Sequence, residues 1–477
     1  MMKSAASKQA LNFYSTFKPF RNIATSLIDR RLYKNIVEAD TGNLKAVQQK
    51  KYEFLSSLLF SVKKNIDNGY ISRTYIKNLG NFITNLEVSM VEDKDPGKDV
   101  SSFNDKYGID PPNFIVLSPT QRCNLNCTGC YACSDRTTAP TLPFRLVDKI
   151  VGEVHDSFNS RFVTISGGEP FMYNDDGKTI FDIFEKYNDM FFLIYTNGTL
   201  INEKIASRLE KLGNVTPAIS VEGYREHTDE RRGKGTHDKI LKAFENLRTA
   251  GVPFGVSATA TSRNVKEFLK DEFYEYYFDE QGASYMWQFQ FMPIGRGRET
   301  FDLVVSPEDR VEMFRTWERM LEKRRYAIAD FWNSGLLTHG CVAYGANRGH
   351  IYIDWNGNIM PCVFVPYHVD NVYDLFKNGK SLGDALLSGF MRNGNNWQIE
   401  YGLLDKKKPG NWLMPCSIRD HYANFRKNII TGDAKGEDKE ADAILEDKGY
   451  YENMLAYDEK LRNLTEEIWE KEYIAKG

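Results

Sequence analysis

Between Pro112 and Phe291 short apolar runs alternate with amphipathic stretches, six times over. The runs 114–117, 162–166, 191–195, 216–221, 254–260 and 285–291 have the length and β-branched or aromatic content of strands, and the stretches between them read as helices. Regular alternation of this kind restricts the chain to a parallel sheet, either open or rolled into a barrel. In both, chemistry gathers at the C-terminal ends of the strands.

The loop after the first run is Arg122-Cys123-Asn124-Leu125-Asn126-Cys127-Thr128-Gly129-Cys130-Tyr131-Ala132-Cys133. Four of the chain's seven cysteines fall here, as C-x3-C-x2-C with two residues between the third and a fourth. Thiolates this close repel one another unless a cation neutralises them, so the pattern reads as a metal centre. A closed zinc site would take Cys133 as its fourth ligand. An iron–sulfur cube held by three cysteines would leave one iron open, and spacing alone admits both. Gly167-Gly168-Glu169-Pro170 follows the second run, Thr196-Asn197-Gly198 the third, Ser220 and Glu222 close the fourth, and Pro293-Ile294-Gly295-Arg296-Gly297 follows the sixth. All are expected on one rim, company for which a structural zinc knuckle has no need.

In this order and at these strand ends, the cysteine loop and Gly167-Gly168-Glu169-Pro170 resemble the radical S-adenosylmethionine (SAM) enzymes, over about residues 112–297. The resemblance implies an α/β fold built on a partial (β/α)6 TIM-type barrel. It implies that Cys123, Cys127 and Cys130 hold a [4Fe–4S] cluster whose fourth iron is open to the amino and carboxylate groups of SAM. Gly167, Gly168, Glu169 and Pro170 would meet the methionine end, Ser220 and Glu222 the ribose and methionine, and the Gly129 backbone the adenine. Reductive cleavage of SAM then yields a 5′-deoxyadenosyl radical that takes hydrogen from the substrate, and no protein side chain is assigned as catalytic. One departure stands out: many members carry an aromatic residue where this chain has Gly129, and the aromatic here is Tyr131. Cys133 is left outside the cluster as a small thiol.

A second group follows the barrel. Asn356-Gly357 between apolar runs signals a β-hairpin, with Cys341 before it and Cys362 after it, in the spacing C-x15-G-x4-C; Cys416 comes later. This resembles the SPASM and twitch auxiliary-cluster domains. Three cysteines imply one auxiliary [4Fe–4S] cluster, its fourth position open or filled by His339, Asp420 or His421; a zinc site or three unrelated thiols are the alternatives. The expected organisation is a helical extension and linker (1–107), the barrel (108–305), a hairpin-plus-helix auxiliary domain (306–430) and a helical tail (431–477). The implied substrate is a peptide or protein. A lipid or other small molecule modified at a membrane surface is the alternative, and a non-catalytic zinc-binding module the remote one. A flavodoxin or ferredoxin would supply electrons.

The net charge of −3 gives no global field for nucleic acid, and none is expected as a partner. No apolar run reaches membrane-spanning length, no secretory signal is evident, and clustered cysteines in odd number argue for a reducing cytoplasm. The basic segment 1–40 has apolar residues at helical spacing. It reads as a helix packed on the main domain or, alternatively, as a peripheral contact with an anionic membrane. Residues 91–107 read as a linker, and the acidic tail (Glu437, Asp438, Glu440) as a solvated face that pairs with the basic N-terminus. Arg296 and Arg298 are candidates for an anionic group on the substrate, and Arg231-Arg232 are weaker candidates for a carboxylate of SAM or substrate. The alternating Trp287, Phe289 and Phe291 belong to core or pocket.

Overall fold

All six expected runs form strands in the computed structural model, which describes residues 13–40, 42–80, 98–134 and 139–476. They are β1 (Phe114–Leu117), β2 (Phe162–Ile165), β3 (Phe191–Thr196), β4 (Val215–Val221), β5 (Gly255–Ala260) and β6 (Met286–Gln290), each parallel to the next. Two strands not anticipated as barrel members extend the sheet. β7 (Ile328–Asp330) runs parallel to β6, and β8 (His350–Ile353) runs parallel to β1 with Ile115 opposite Ile351. The expected hairpin is formed by β8 and β9 (Asn358–Met360), and β10 (Asp370–Asn371) adds antiparallel to β9. The order is therefore β10-β9-β8-β1-β2-β3-β4-β5-β6-β7, a partial TIM-type barrel whose eight parallel strands direct their C-terminal ends to one rim.

Period-two alternation divides each strand between two environments. Ile115, Leu117, Val163 and Ile165 are fully buried against the helical layer. Phe114, Val116, Phe162, Thr164, Trp287 and Phe289 turn to the barrel interior, where they line a cavity. The outer layer includes α4 (Phe144–Asp156), started by Pro143, which buries Leu146, Val147, Ile150, Val151 and Val154 on one stripe. It also includes α5 (Glu203–Leu212), capped by the Asn202 side chain and ended by Gly213 in the left-handed region, and α7 (Thr236–Ala250).

Before the barrel come α1 (Lys18–Tyr33) and α2 (Lys45–Asp67). α2 is tied to the barrel by Asn65, whose Nδ2 donates to Gly282 O and Ser284 Oγ at 2.8 and 2.9 Å. Where a linker is expected, residues 98–107 form a helix, α3 (Lys98–Tyr107). Phe103 and Tyr107, one turn apart, dock it: Phe103 meets the Phe158 ring at 5.5 Å and Tyr107 shares a hydrogen bond with Ser381. The polar residues around that pair hid it from a reading by composition. The rest of the expected linker, 91–97, and the N-terminal residues 1–12 lie outside the described residues.

After β6, α8 (Pro307–Arg319) carries Arg310, which forms a buried, two-point ion pair with Asp420 at 2.5 and 3.1 Å. A third group of helices, α9 (Gly389–Gln398), α10 (Lys439–Glu446) and α11 (Lys448–Ile468), closes the cysteine-bearing segments from outside. In α11 the buried Asp458 accepts a hydrogen bond from Tyr422 N at 2.8 Å. Burial raises its pKa to about 8; Asp420 adds to the shift, and Arg462 and Arg310 oppose it. A carboxyl held neutral in the fold but ionised when unfolded favours folding below the unfolded pKa. That contribution is lost progressively as pH rises toward 8. Asp458→Asn keeps an acceptor for Tyr422 N and removes the titration. The expected result is a gain in melting temperature over the parent that is small at pH 5 and grows to pH 8, read by thermal unfolding at both pH values.

Candidate functional site

The cysteine loop between β1 and α4 is held from several sides. Gly168 N and Glu169 N donate to Thr120 O and Arg122 O at 2.9 and 2.7 Å. Arg296 donates to Cys127 O at 2.9 Å and Ser134 O at 2.7 Å. Asn197 Nδ2 donates to Asn124 Oδ1 at 2.8 Å and reaches Cys123 Sγ at 3.7 Å. Cys123, Cys127 and Cys130 all line the barrel cavity, whereas Cys133, in the left-handed region at φ 46°, does not. Burial pushes the Cys123 thiol up to about 12, with the neighbouring Glu169, Cys127 and Cys130 adding to it, and raises Cys127 against the pull of Arg232. Such thiols ionise only when a cation takes their charge.

The two glycines after β2 owe their identity to this loop. A Cβ on Gly168 would lie 2.3 Å from Arg122 O and 2.4 Å from Gln121 O; one on Gly167, at φ +120°, would lie 2.5 Å from Thr120 O. Both line the cavity. Glu169 and Pro170 do not: the Glu169 carboxylate, wholly buried, accepts from Thr196 Oγ1 and Asn197 N at 2.8 Å each and from Phe171 N at 3.2 Å. It latches the ends of β2 and β3 together, and burial sets its pKa at about 7. Pro170 starts the short 3-10 turn that follows.

At the end of β4, Ser220 lines the cavity and Glu222 lies behind it. Glu222 is wholly buried, and its Oε1 is held by Arg231 and Arg232 at 2.7 and 2.5 Å from α6 (Arg225–Arg232). These two arginines, the weaker candidates by sequence, stand on the cavity wall beside the cysteines. The stronger candidates are occupied: Arg296 clamps the cysteine loop, and Arg298 pairs with Asp447 at 3.5 Å. Gly129, at φ +65°, has no room for a side chain: its Cβ would meet the Phe291 ring at 2.5 Å. The Phe291 ring, from the end of β6, thus lies where a side chain at residue 129 would stand, a juxtaposition only the fold shows.

Cys341, Cys362 and Cys416 line the same cavity. Burial pushes the Cys341 and Cys362 thiols up to about 12 and Cys416 higher still, and each of the three feels a neighbour in the group. Between the two cysteine groups the wall is aromatic. Tyr131, next to Cys130, meets Phe364, just after Cys362, at 6.4 Å, and Phe364 packs on Phe289 and Phe331 at 5.9 and 5.3 Å. Of the three expected candidates for a fourth position, Asp420 is committed to Arg310 and to Cys416 N, and His421 to Met414 O at 2.8 Å. His339 has its pKa lowered to about 4 by burial, packs tilted against Trp412 at 5.2 Å, and has a buried Nε2 with no partner. Sequence reading missed Gln398 of α9. It is 5% exposed, and its amide lies close enough to the Cys341 thiol to lower that thiol's pKa, without a hydrogen bond of regular geometry. It also missed the tail. Glu437, expected on a solvated face, is turned inward, where burial raises its pKa well above the carboxylate range and Asp354, Asp438 and Cys130 add to the shift.

The cavity measures about 630 Å³ and runs from the cysteine rim down the barrel, with Lys51, Phe54 and Leu55 of α2 contributing to its wall. The donor set fits an iron–sulfur cluster at each cysteine group: three cysteines apiece on a shared wall. Among the described residues no three His, Cys, Asp or Glu side chains close on a point as a single metal ion requires.

The model of the radical SAM superfamily matches residues 117–267. The mycofactocin maturase MftC of Mycobacterium tuberculosis (strain ATCC 25618 / H37Rv) is 28% identical over 333 residues, covering 67% of this chain and 78% of that protein. The AdoMet-dependent heme synthase of Methanosarcina barkeri is 28% identical over 291 residues, 55% of this chain and 79% of that one. Among solved structures, Streptococcus suis SuiB bound to S-adenosylmethionine aligns with a TM-score of 0.49 at 17% identity, over 62% of this chain and 70% of that chain.

Proposed function

We propose that this chain is a radical SAM enzyme that modifies a peptide or protein substrate within the cavity its two cysteine groups share. One observation carries the reading: Cys123, Cys127 and Cys130 and, across the aromatic wall, Cys341, Cys362 and Cys416 line a single cavity. In this reading the first three hold the [4Fe–4S] cluster that binds SAM, and the second three hold an auxiliary [4Fe–4S] cluster. With SAM and one electron from a flavodoxin or ferredoxin, that cluster would supply reductive cleavage of SAM to methionine and a 5′-deoxyadenosyl radical able to take hydrogen from the substrate.

The chain's own residues do the rest. Gly167 and Gly168 give the SAM methionine end a backbone wall without side chains. Ser220 presents a hydroxyl to the cofactor, and Arg231 and Arg232 present positive charge to its carboxylate, with Glu222 holding them in place. Phe291 offers a ring next to Gly129 for the adenine. Trp287, Phe289 and Tyr195 keep the interior apolar and exclude water, which protects a reactive intermediate. A cavity of about 630 Å³ admits a cofactor and one or two substrate side chains, not a folded partner. A peptide that threads a single residue inward meets that limit, and the similarity to a maturase along two thirds of the chain supports it.

The test is anaerobic reconstitution followed by two assays. About eight irons and eight sulfides per chain are expected, and dithionite with SAM is expected to release 5′-deoxyadenosine. Candidate precursor peptides, added in turn, are then followed by mass spectrometry for loss of hydrogen or a new bond. A reconstituted protein that makes no 5′-deoxyadenosine overturns the enzymatic reading. One that makes it, but transfers deuterium to it from a small molecule and from no peptide, overturns the substrate class.

A further inference from the structure

Helix α1 presents its polar side to the protein and its apolar side to solvent. Facing inward are Arg21 and Thr25, 5% and 0% exposed. Arg21 Nε donates to Asp67 Oδ1 at 2.8 Å, Thr25 shares a hydrogen bond with Tyr14 OH, and Asp29 accepts from Ser56 Oγ at 2.6 Å and Tyr52 OH at 3.2 Å. Facing outward are Phe13, Phe17, Phe20, Ile23, Leu27 and Ile28, between 39% and 62% exposed. Phe20, Ile23, Leu27 and Ile28 make one stripe on α1, about 12 Å long at 1.5 Å per residue, and Phe13 and Phe17 extend it in the turn before the helix. The Phe13 ring lies 5.5 Å from that of Phe17 and 5.9 Å from that of Phe20, so the stripe is continuous at its start.

Charge frames the stripe with one sign. Lys18 is exposed at its beginning, and Arg30, Arg31 and Lys34 at its end. Asp29 is the one acid within α1, and its carboxylate is occupied on the inner side. An apolar stripe bordered by cations, with no acid on it, matches the surface of a bilayer that carries anionic lipid: the side chains enter the acyl boundary and the cations meet the headgroups. No helix among the described residues is long and apolar enough to cross a membrane, so the contact is peripheral. α1 packs on α2, and α2 lends Lys51, Phe54 and Leu55 to the cavity wall, which places the docking face one helix away from the site.

We propose that the outward face of α1 docks this protein on an anionic lipid bilayer. The proposal is independent of the substrate reading above. The experiment uses the full-length reconstituted enzyme with vesicles of phosphatidylcholine alone or with about one third phosphatidylglycerol. Co-sedimentation is expected with the anionic vesicles only, weakened when salt is raised to about 0.5 M. The combined variant Phe20→Ser, Ile23→Ser and Leu27→Ser alters exposed positions alone. It is expected to bind at least about tenfold more weakly, with iron content, elution volume and 5′-deoxyadenosine formation unchanged. Absence of binding to anionic vesicles, or equal binding by the variant, overturns the proposal. So does a parent dimer that the variant dissociates, since the stripe would then cover a second copy of the chain.

Discussion

Cys127→Ala, reconstituted anaerobically, is expected to carry about four irons per chain instead of about eight and to form no 5′-deoxyadenosine. Cys362→Ala is expected to lose a similar amount of iron yet still form 5′-deoxyadenosine without substrate. The asymmetry follows from the geometry. Cys127 stands on the wall with Gly167, Gly168, Ser220 and the paired arginines, and Cys362 stands beyond Tyr131 and Phe364. Loss of one ligand of three leaves Cys123, whose thiol burial pushes up to about 12, and Cys130, too few to hold a cluster. Iron analysis, near-ultraviolet and visible absorption and product chromatography check both variants. Retention of 5′-deoxyadenosine by Cys127→Ala would reverse the assignment of the two groups. Its loss in Cys362→Ala, with four irons kept, would show that the second group takes part in SAM cleavage.

The second large effect is expected from Gly168→Ala. The added methyl group would lie 2.3 Å from Arg122 O and 2.4 Å from Gln121 O, both main-chain atoms of the segment that enters the cysteine loop. Neither can swing aside as a side-chain tip would, so either the loop or the end of β2 moves. Overpacking of this kind costs typically ~1–3 kcal/mol, and more where backbone is struck. The expected outcome is a lowered melting temperature and loss of about half the iron, at the first site. Gly389→Ala is the control, because a Cβ there meets only Thr431 Cγ2, at 3.5 Å, and the residue opens α9 in an ordinary conformation. Equal melting temperatures and iron contents for the two variants would show that the Gly168 contact is relieved without cost.

The local features of this molecule could be read before folding, because they depend on spacing along the chain. Six strands announced themselves by length and apolar content, and the hairpin at Asn356-Gly357 by its turn. The type of metal donor followed from six cysteines in two groups, and its neighbours from the rule that parallel strands bring their C-terminal loops to one rim. Other features were hidden for a definite reason. β8 looked like half of a hairpin and is also a barrel strand, since its partner β1 lies more than two hundred residues earlier and no local signal marks that pairing. Glu222 was expected at the cofactor, and no local signal showed that two arginines on the following helix hold its carboxylate. Glu437 looked solvated because its sequence neighbours are charged, while the short pairing of Lys435–Gly436 with Tyr367–His368 turns it inward.

What residue types and intervals specify, then, is the chemistry available: which thiols can act together, which turns need glycine, which runs can pair. Whether that chemistry converges is a matter of long-range packing. The parallel pairing of β8 with β1 carries Cys362 to the cavity that Cys123, Cys127 and Cys130 line, and the β6 register sets Phe291 where residue 129 has no side chain. The same holds for α1. Its amphipathic pattern was evident, but the side it turns to the protein was set by Arg21 finding Asp67 and Asp29 finding Ser56, polar contacts that leave the phenylalanines outside.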